Sequence, residues 1–229
     1  MNRIILLGGG SSSGKSYVSD QVIKIVGAKN MTRLSIDDYY INQDAPIEER
    51  RKVNYDHPKA FDWDMIRKHA LMLKEGKEIR KPVYDYTILN RSDKYENVKP
   101  NKLILIEGIM ALVDKKLRNL SDLKIFISAS PEIRFLRRFI RDHKVRKRTY
   151  ENIVAQYLET VAPMYKEIIE PSSNYADLII NNNADENRAI DVLSCVLKNE
   201  LEINESKKPS KPKEKEFTED ILSSVFSKS

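Results

Sequence analysis

The sequence predicts an α/β protein in three layers, with helices on both faces of a mainly parallel sheet of about five strands and a small antiparallel β excursion. Three observations carry this. Short apolar runs alternate with longer segments of helical period, as parallel sheets with crossover helices require. One of those runs, Leu103-Ile104-Leu105-Ile106, is apolar throughout, as a strand covered on both faces must be. The first run, residues 3–7, ends directly in a glycine-rich turn that opens a helical pattern.

Taken in order, residues 3–7 form a strand, Gly8 to Ser16 a loop, and residues 15–26 a helix with Val18, Val22, Ile25 and Val26 on one side. Thr32 to Ile36 reads as the second strand and ends in Asp37-Asp38. Residues 38–61 are mostly loop, with a short helix near Glu48 to Lys52. Asp62 caps a helix that runs to Lys74. Glu78 to Val98 alternates in character and makes the antiparallel excursion. Strands follow at Lys102–Glu107, Lys124–Ser128 and Asp177–Ile180, and helices near 131–143, 150–169 and 186–200. The domain is expected to span 1–204. Residues 205–229 are proline-broken and of mixed charge, the composition of a disordered tail, although Ile221, Leu222, Val225 and Phe226 keep helical spacing.

Composition narrows the function. The 229 residues are 41% hydrophobic and 32% charged, and no apolar run reaches the ~18 residues of a membrane-spanning helix. The one cysteine, Cys195, rules out an internal disulfide and a multi-cysteine zinc site, and a reducing, cytoplasmic setting is the expectation. The net charge of +6 is concentrated between Arg134 and Arg148. A phosphate-bearing small molecule or a nucleic acid would suit such a segment. Composition leaves both open, and the focusing of the charge on one segment is the feature that bears on the choice.

Gly9-x-x-x-x-Gly14-Lys15-Ser16 is a complete Walker A phosphate loop, the mark of a P-loop NTPase fold. In such a loop the backbone N–H groups of Gly9, Gly10, Ser11, Ser12, Ser13 and Gly14 curl toward phosphate oxygens. The lysine adds charge at the β/γ-phosphates, the hydroxyl of Ser16 can ligate Mg²⁺, and the helix N-terminus favours anions. Beyond the ends of two strands stand Asp37 and Glu107, placed for a Mg²⁺ or base role in phosphoryl transfer.

Further strings are more specific: Leu34-Ser35-Ile36-Asp37-Asp38-Tyr39-Tyr40, Asn54-Tyr55-Asp56-His57-Pro58, Pro82-Val83-Tyr84-Asp85-Tyr86 and Glu107-Gly108-Ile109. With the phosphate loop, in this order and spacing, the chain resembles the uridine kinase (uridine–cytidine kinase) family from about Arg3 to Val196. The branch includes phosphoribulokinase and pantothenate kinase. The resemblance implies transfer of the γ-phosphate of ATP or GTP, with Mg²⁺, to the 5′-hydroxyl of a pyrimidine ribonucleoside. It makes Asp37 the catalytic base and puts Ser16 and Glu107 beside Mg²⁺, with Asp37 near the same ion. Asp56 binds the ribose hydroxyls, Tyr40, Tyr55, Tyr84 and Tyr86 surround the nucleoside, and Gln156 is a ribose-side amide. Arg138, Arg141, Arg146 and Arg148 belong to the lid and cleft, with Arg141 and Arg146 joining Lys15 in stabilising the transferred phosphoryl group. It also implies a homo-oligomer, a tetramer in relatives.

Two positions depart from the family pattern. Leu89, followed by Asn90, stands where relatives carry a histidine that reads the pyrimidine edge, and Lys147 stands where a glycine is common between the lid arginines. The first leaves open another nucleoside or a small hydroxyl metabolite as acceptor. It also leaves open a nucleotide-binding regulatory or RNA-associated protein with little turnover.

Overall fold

The computed structural model describes residues 1–183 and 188–206. Its first strand, β1 (Arg3–Gly9), is the centre of a five-stranded sheet. The chain continues through α1 (Lys15–Val26), β2 (Met31–Ser35), the short α2 (Ile47–Arg50) and α3 (Trp63–Lys74). Strands β3 (Ile79–Asp85) and β4 (Asn90–Val98) pair antiparallel as the separate two-stranded excursion. Then come β5 (Leu103–Glu107), α4 (Lys115–Leu120), β6 (Leu123–Ser128), α5 (Pro131–Lys144) and α6 (Tyr150–Gln156). α7 (Ala162–Met164), β7 (Leu178–Asn181) and α8 (Arg188–Ser206) complete it.

All four pairings in the large sheet are parallel, in the order β2-β5-β1-β6-β7. Alternation along β1 divides the core. Ile4 and Leu6 face one side and pack with Leu34, Ile66, Leu73 and Leu117, whereas Ile5 and Leu7 face the other, with Val18, Val22, Leu193 and Leu197. Helices therefore cover both faces, and each side chain of Leu103–Ile106 is buried. Local chemistry agrees with the sequence at the helix starts: the Asp62 carboxylate accepts from Met65 N at 3.1 Å, and Ser130, Thr149 and Asp114 cap α5, α6 and α4 in the same way.

Three features were not in the sequence reading. Helix α4 carries too few apolar residues to show a period. The expected helix 150–169 is broken by π-helical turns, Tyr157–Val161 and Tyr165–Ile169, on either side of Pro163, which has no N–H to donate to the helical ladder. Helix α5 is inverted: Arg134, Arg138 and Asp142, spaced four apart, are buried, while Leu136 and Ile140 are exposed. Helix α8 continues through Ser206, past the expected boundary after 204. The remainder of the expected tail, with Phe217–Phe226, lies outside the described residues.

Candidate active site

The register brings the sequence motifs to one end of the sheet. Glu107, last in β5, pairs with Leu7 of β1 on one side and with Ser35 of β2 on the other. The phosphate loop leaving β1 and the turn carrying Asp37 thus flank Glu107. Gly108 makes the close approach possible: a Cβ there would stand 2.1 Å from Ile36 Cγ1 and 3.5 Å from Asp37 Oδ1. The loop itself closes through Gly14, whose φ of 97° is a left-handed value that suits glycine.

A cleft of about 270 Å³ opens at this end, lined by Ser11, Ser12, Gly14, Lys15, Ser16, Asp37, Glu107, Arg137 and Arg141. Lys15 Nζ donates to the carbonyls of Gly9 (2.9 Å) and Gly10 (2.8 Å). Burial lowers its pKa to about 8, opposed by the charges of Glu107 and Asp37. Burial pushes the Asp37 carboxyl up to about 6, with Lys15 pulling it back and Glu107 and Asp56 adding to the rise. Part of Asp37 reaches solvent, but Oδ1 is sealed and has no hydrogen-bond partner.

Glu107 is more committed than its position in the sequence suggested. Arg33 binds its Oε1 through Nε (2.8 Å) and Nη2, and Ser19 Oγ donates to Oε2 at 3.1 Å. Neither Arg33 nor Ser19 belongs to a motif, so the sequence offered no signal for them. No group of three or more His, Cys, Asp or Glu side chains among the described residues could hold a metal by itself. The oxygens of Ser16, Asp37 and Glu107 in one cleft, with Asp37 Oδ1 unpartnered, instead suit a Mg²⁺ that keeps waters and phosphate oxygens in its shell.

The expected acceptor residues gather beside this cleft. Tyr40 is the hub of an aromatic cluster: its ring lies 5.1 Å from Tyr55, 5.0 Å from Tyr84 and 4.6 Å from Phe61, and Tyr86 packs 5.1 Å from Tyr84. Tyr84 Oη is buried without a well-formed hydrogen bond. Burial raises the Tyr84 pKa and the neighbouring Tyr55 adds to the rise, but the Tyr55 hydroxyl donates to the Leu89 carbonyl at 3.2 Å. Asp56 is buried, and its pKa is raised first by burial, with Arg138 and Arg141 opposing the rise. Asp38, to which the sequence assigned no role, ties the excursion to the Asp37 turn through Lys81 (2.5 Å).

The basic segment folds over the same opening. Arg138 donates to Ser11 Oγ (2.7 Å) and to Gln156 Oε1 (2.9 Å), and Arg148 reaches that same amide oxygen at 2.5 Å. Gln156 is therefore an arginine bridge in this structure. The Arg146 guanidinium lies 4.9 Å from the Tyr86 ring centre and links the segment to the excursion. At the tip of the excursion Leu89 has φ 50°. Asn90 cannot stand in for a missing base reader, because its amide is spent on the backbone N–H (2.9 Å) and carbonyl (3.0 Å) of Gln43.

Comparison with known proteins agrees with this geometry. The model of the phosphoribulokinase/uridine kinase family matches residues 4–189. A uridine kinase of Latilactobacillus sakei is 44% identical over 202 residues, covering 88% of this chain and 96% of its own length. One from Deinococcus deserti is 42% identical over 193 residues, covering 84% and 93%. Among solved structures, a putative fructose transport system kinase from Silicibacter superposes with a TM-score of 0.66 at 19% identity, over 78% of this chain and 89% of its own. Phosphoribulokinase from Rhodobacter spheroides gives 0.58 at 15% identity, over 79% and 70%. These two likenesses concern the fold alone.

Proposed function

The chain belongs to the phosphoribulokinase/uridine kinase family, and from that premise we propose that its 1–204 domain is a nucleoside kinase of the uridine kinase type. It transfers the γ-phosphate of ATP or GTP to the 5′-hydroxyl of a ribonucleoside, with uridine and cytidine the favoured acceptors. The carrying observation is Asp37, a carboxylate that is part exposed in the cleft it shares with the phosphate-loop lysine, with a pKa raised to about 6. A general base needs that reach and a pKa near the working pH.

In this reading Gly9 to Ser16 and Arg148 hold the nucleotide. Asp37 takes the proton of the acceptor hydroxyl as it attacks phosphorus, and Lys15, Arg141 and Arg146 face the charge spreading over the phosphoryl oxygens. Ser16, Glu107 and Asp37 would hold Mg²⁺, which when bound neutralises phosphate charge. Asp56 accepts hydrogen bonds from the ribose diol, the Tyr40, Tyr55, Tyr84 and Tyr86 cluster packs the nucleoside, and Arg138, Arg141 and Gln156 close its edge. The setting is cytoplasmic, where nucleoside triphosphates are supplied. Among the described residues no helix is long and apolar enough to cross a membrane. Leu136 and Ile140, four apart on α5, are exposed apolar side chains and support the homo-oligomer the resemblance implies.

The test is a phosphotransfer screen of ribonucleosides, their 2′-deoxy counterparts and small alcohols, with ATP and GTP as donors. Uridine and cytidine should be phosphorylated, and their 2′-deoxy forms ~10-fold or more slowly, because one hydrogen bond to a buried carboxylate is lost. Equal rates with and without the 2′-hydroxyl would remove Asp56 from acceptor binding. Turnover confined to other alcohols would change the acceptor, and no turnover at all would end the kinase reading.

A further inference from the structure

Helix α5 buries a carboxylate where its sequence neighbours are cations. Asp142 is fully buried, and four guanidiniums converge on it. Arg141 bonds Oδ1 directly, through Nε at 2.9 Å and Nη2 at 2.8 Å. Arg146 approaches the same oxygen at 3.5 Å, and Arg138 and Arg148 approach Oδ2 at 3.5 and 3.6 Å. Those last three are longer than ordinary hydrogen bonds, and Oδ2 accepts none. Asp142 also fixes the backbone of the turn beyond α5, its carbonyl accepting from Arg148 N at 3.1 Å.

A buried carboxylate with an unspent oxygen is costly unless charge compensates it. Here the Asp142 charge sits among four positive ones, with Asp56 as a second carboxylate acting on Arg138 and Arg141. Without Asp142 the guanidiniums would repel one another and splay toward water. With it they are gathered together, Arg138 on Ser11 and Gln156, Arg148 on Gln156 and Arg141 in the cleft lining, and three of the four stand at distances from the carboxylate that a competing phosphate can overcome. We infer that Asp142 is a positioning residue for phosphoryl transfer: it holds the forks of Arg138 and Arg141 beside the phosphate loop, and those of Arg146 and Arg148 next to them, before the donor arrives. The inference rests on the kinase reading above. Electrostatic stabilisation gains most when its dipoles and charges are already in place, so the benefit falls on the transition state and not on ground-state binding.

The whole protein with Asp142→Asn tests this, read by kcat, by affinity for a fluorescent ATP analogue, and by the shift of melting temperature that inorganic phosphate produces. The expected result is a kcat lower by ~10- to 100-fold, the usual cost of losing a group that orients others. Affinity for the ATP analogue should hold or tighten, since guanidiniums released from the carboxylate are free for any anion. Phosphate should raise the melting temperature of the variant more than that of the wild type. A purely structural residue would behave differently: kcat and affinity would fall together and phosphate would give no extra stabilisation, and that result overturns the inference. So would an unchanged kcat. Should the Asn variant fail to fold, Asp142→Glu keeps the charge on a longer arm and carries the same test: kcat should fall with affinity retained, and parallel losses would again refute it. The two binding readouts need no acceptor: should the nucleoside reading fail, a loss of ATP-analogue affinity with no extra stabilisation by phosphate still overturns the case of Asp142.

Discussion

The two halves of the cleft are built differently. On the phosphate side the groups come from one continuous loop and one helix with its following turn, and most are held by fixed partners: Lys15 on Gly9 and Gly10, Arg138 on Ser11, and the Asn182 amide on the Ser13 carbonyl at 2.8 Å. On the acceptor side Tyr40, Tyr55, Asp56, Tyr84 and Tyr86 come from three separate segments, touch mainly by ring edges, and leave Tyr84 Oη without a sound hydrogen bond. Phosphate is the same in every donor, so a rigid, charge-dense cradle serves. An acceptor is recognised by a few polar atoms in an otherwise aromatic wall, where a single residue can redirect specificity.

Asp37 lies at the seam between the halves, and its removal should have the largest effect. Asp37→Asn should lower kcat by ~10²- to 10⁴-fold with nucleotide affinity retained. In the wild type, kcat/KM should rise as pH passes about 6, where Asp37 ionises, and fall as pH passes about 8, where Lys15 loses its proton. The variant should lack the acid limb. Stability should move the other way. The folded pKa, about 6, lies above the reference 3.8, so the folded state binds the proton more tightly and stability falls as pH rises through that window. Asn does not titrate, so the variant should be more stable than wild type at pH 7 by about 1–2 kcal/mol, allowing for partial exposure, and equal to it below the unfolded pKa, at about pH 3. Denaturation of both proteins at the two pH values checks this, and near-normal turnover in the variant would take Asp37 out of the chemistry.

The same division explains what could be read from the sequence. The phosphate loop was legible because its backbone geometry demands glycines at fixed spacing, and the sheet because unbroken apolar runs such as Leu103–Ile106 have few other uses. The family strings carried Asp56 and the tyrosines across without any local signal of their own. What stayed hidden depends on contacts between distant segments. Arg33 reaches Glu107 across 74 positions, Asn90 is consumed by Gln43, and the buried face of α5 is charged, against the rule by which amphipathic helices are read. Residues in left-handed conformation were equally invisible, since Leu89 and Lys147 are not types that announce it.

The acceptor half can be sharpened at Leu89. Its φ of 50° is one that histidine tolerates better than leucine, so Leu89→His should fold at no cost in stability. A ring nitrogen at that position can pair with a pyrimidine edge, worth about 1 kcal/mol or ~5-fold. The expected outcome is a rise of that size in kcat/KM for uridine and cytidine, with ATP affinity unchanged. Steady-state kinetics on both substrates decide it. No change, or an equal change for purine nucleosides, would mean that the tip of the excursion does not face the base.

The smallest effect is expected on the phosphate side, at Lys147 between the lid arginines. Its φ of 55° places a long side chain in the left-handed region, which costs an L-residue roughly 1–2 kcal/mol in its most crowded form and glycine almost nothing. Glycine also loses more chain entropy on folding, so the net gain from Lys147→Gly should be about 0.5 kcal/mol, a rise of ~1–2 °C in melting temperature for a domain of this size. Removing a cation from a crowded basic turn could give the same result for a different reason. Lys147→Ala separates the two: it removes the charge but keeps the Cβ, so it should bring none of the gain if backbone strain is the cause. Turnover in both variants should stay within ~3-fold of wild type, because the guanidiniums of Arg146 and Arg148 are anchored by Asp142 and Gln156 and not by the residue between them. A kcat that collapses in Lys147→Gly while Lys147→Ala stays active would show that the turn must be stiff to hold the arginines. The phosphate half would then depend on backbone rigidity as well as on its buried carboxylate.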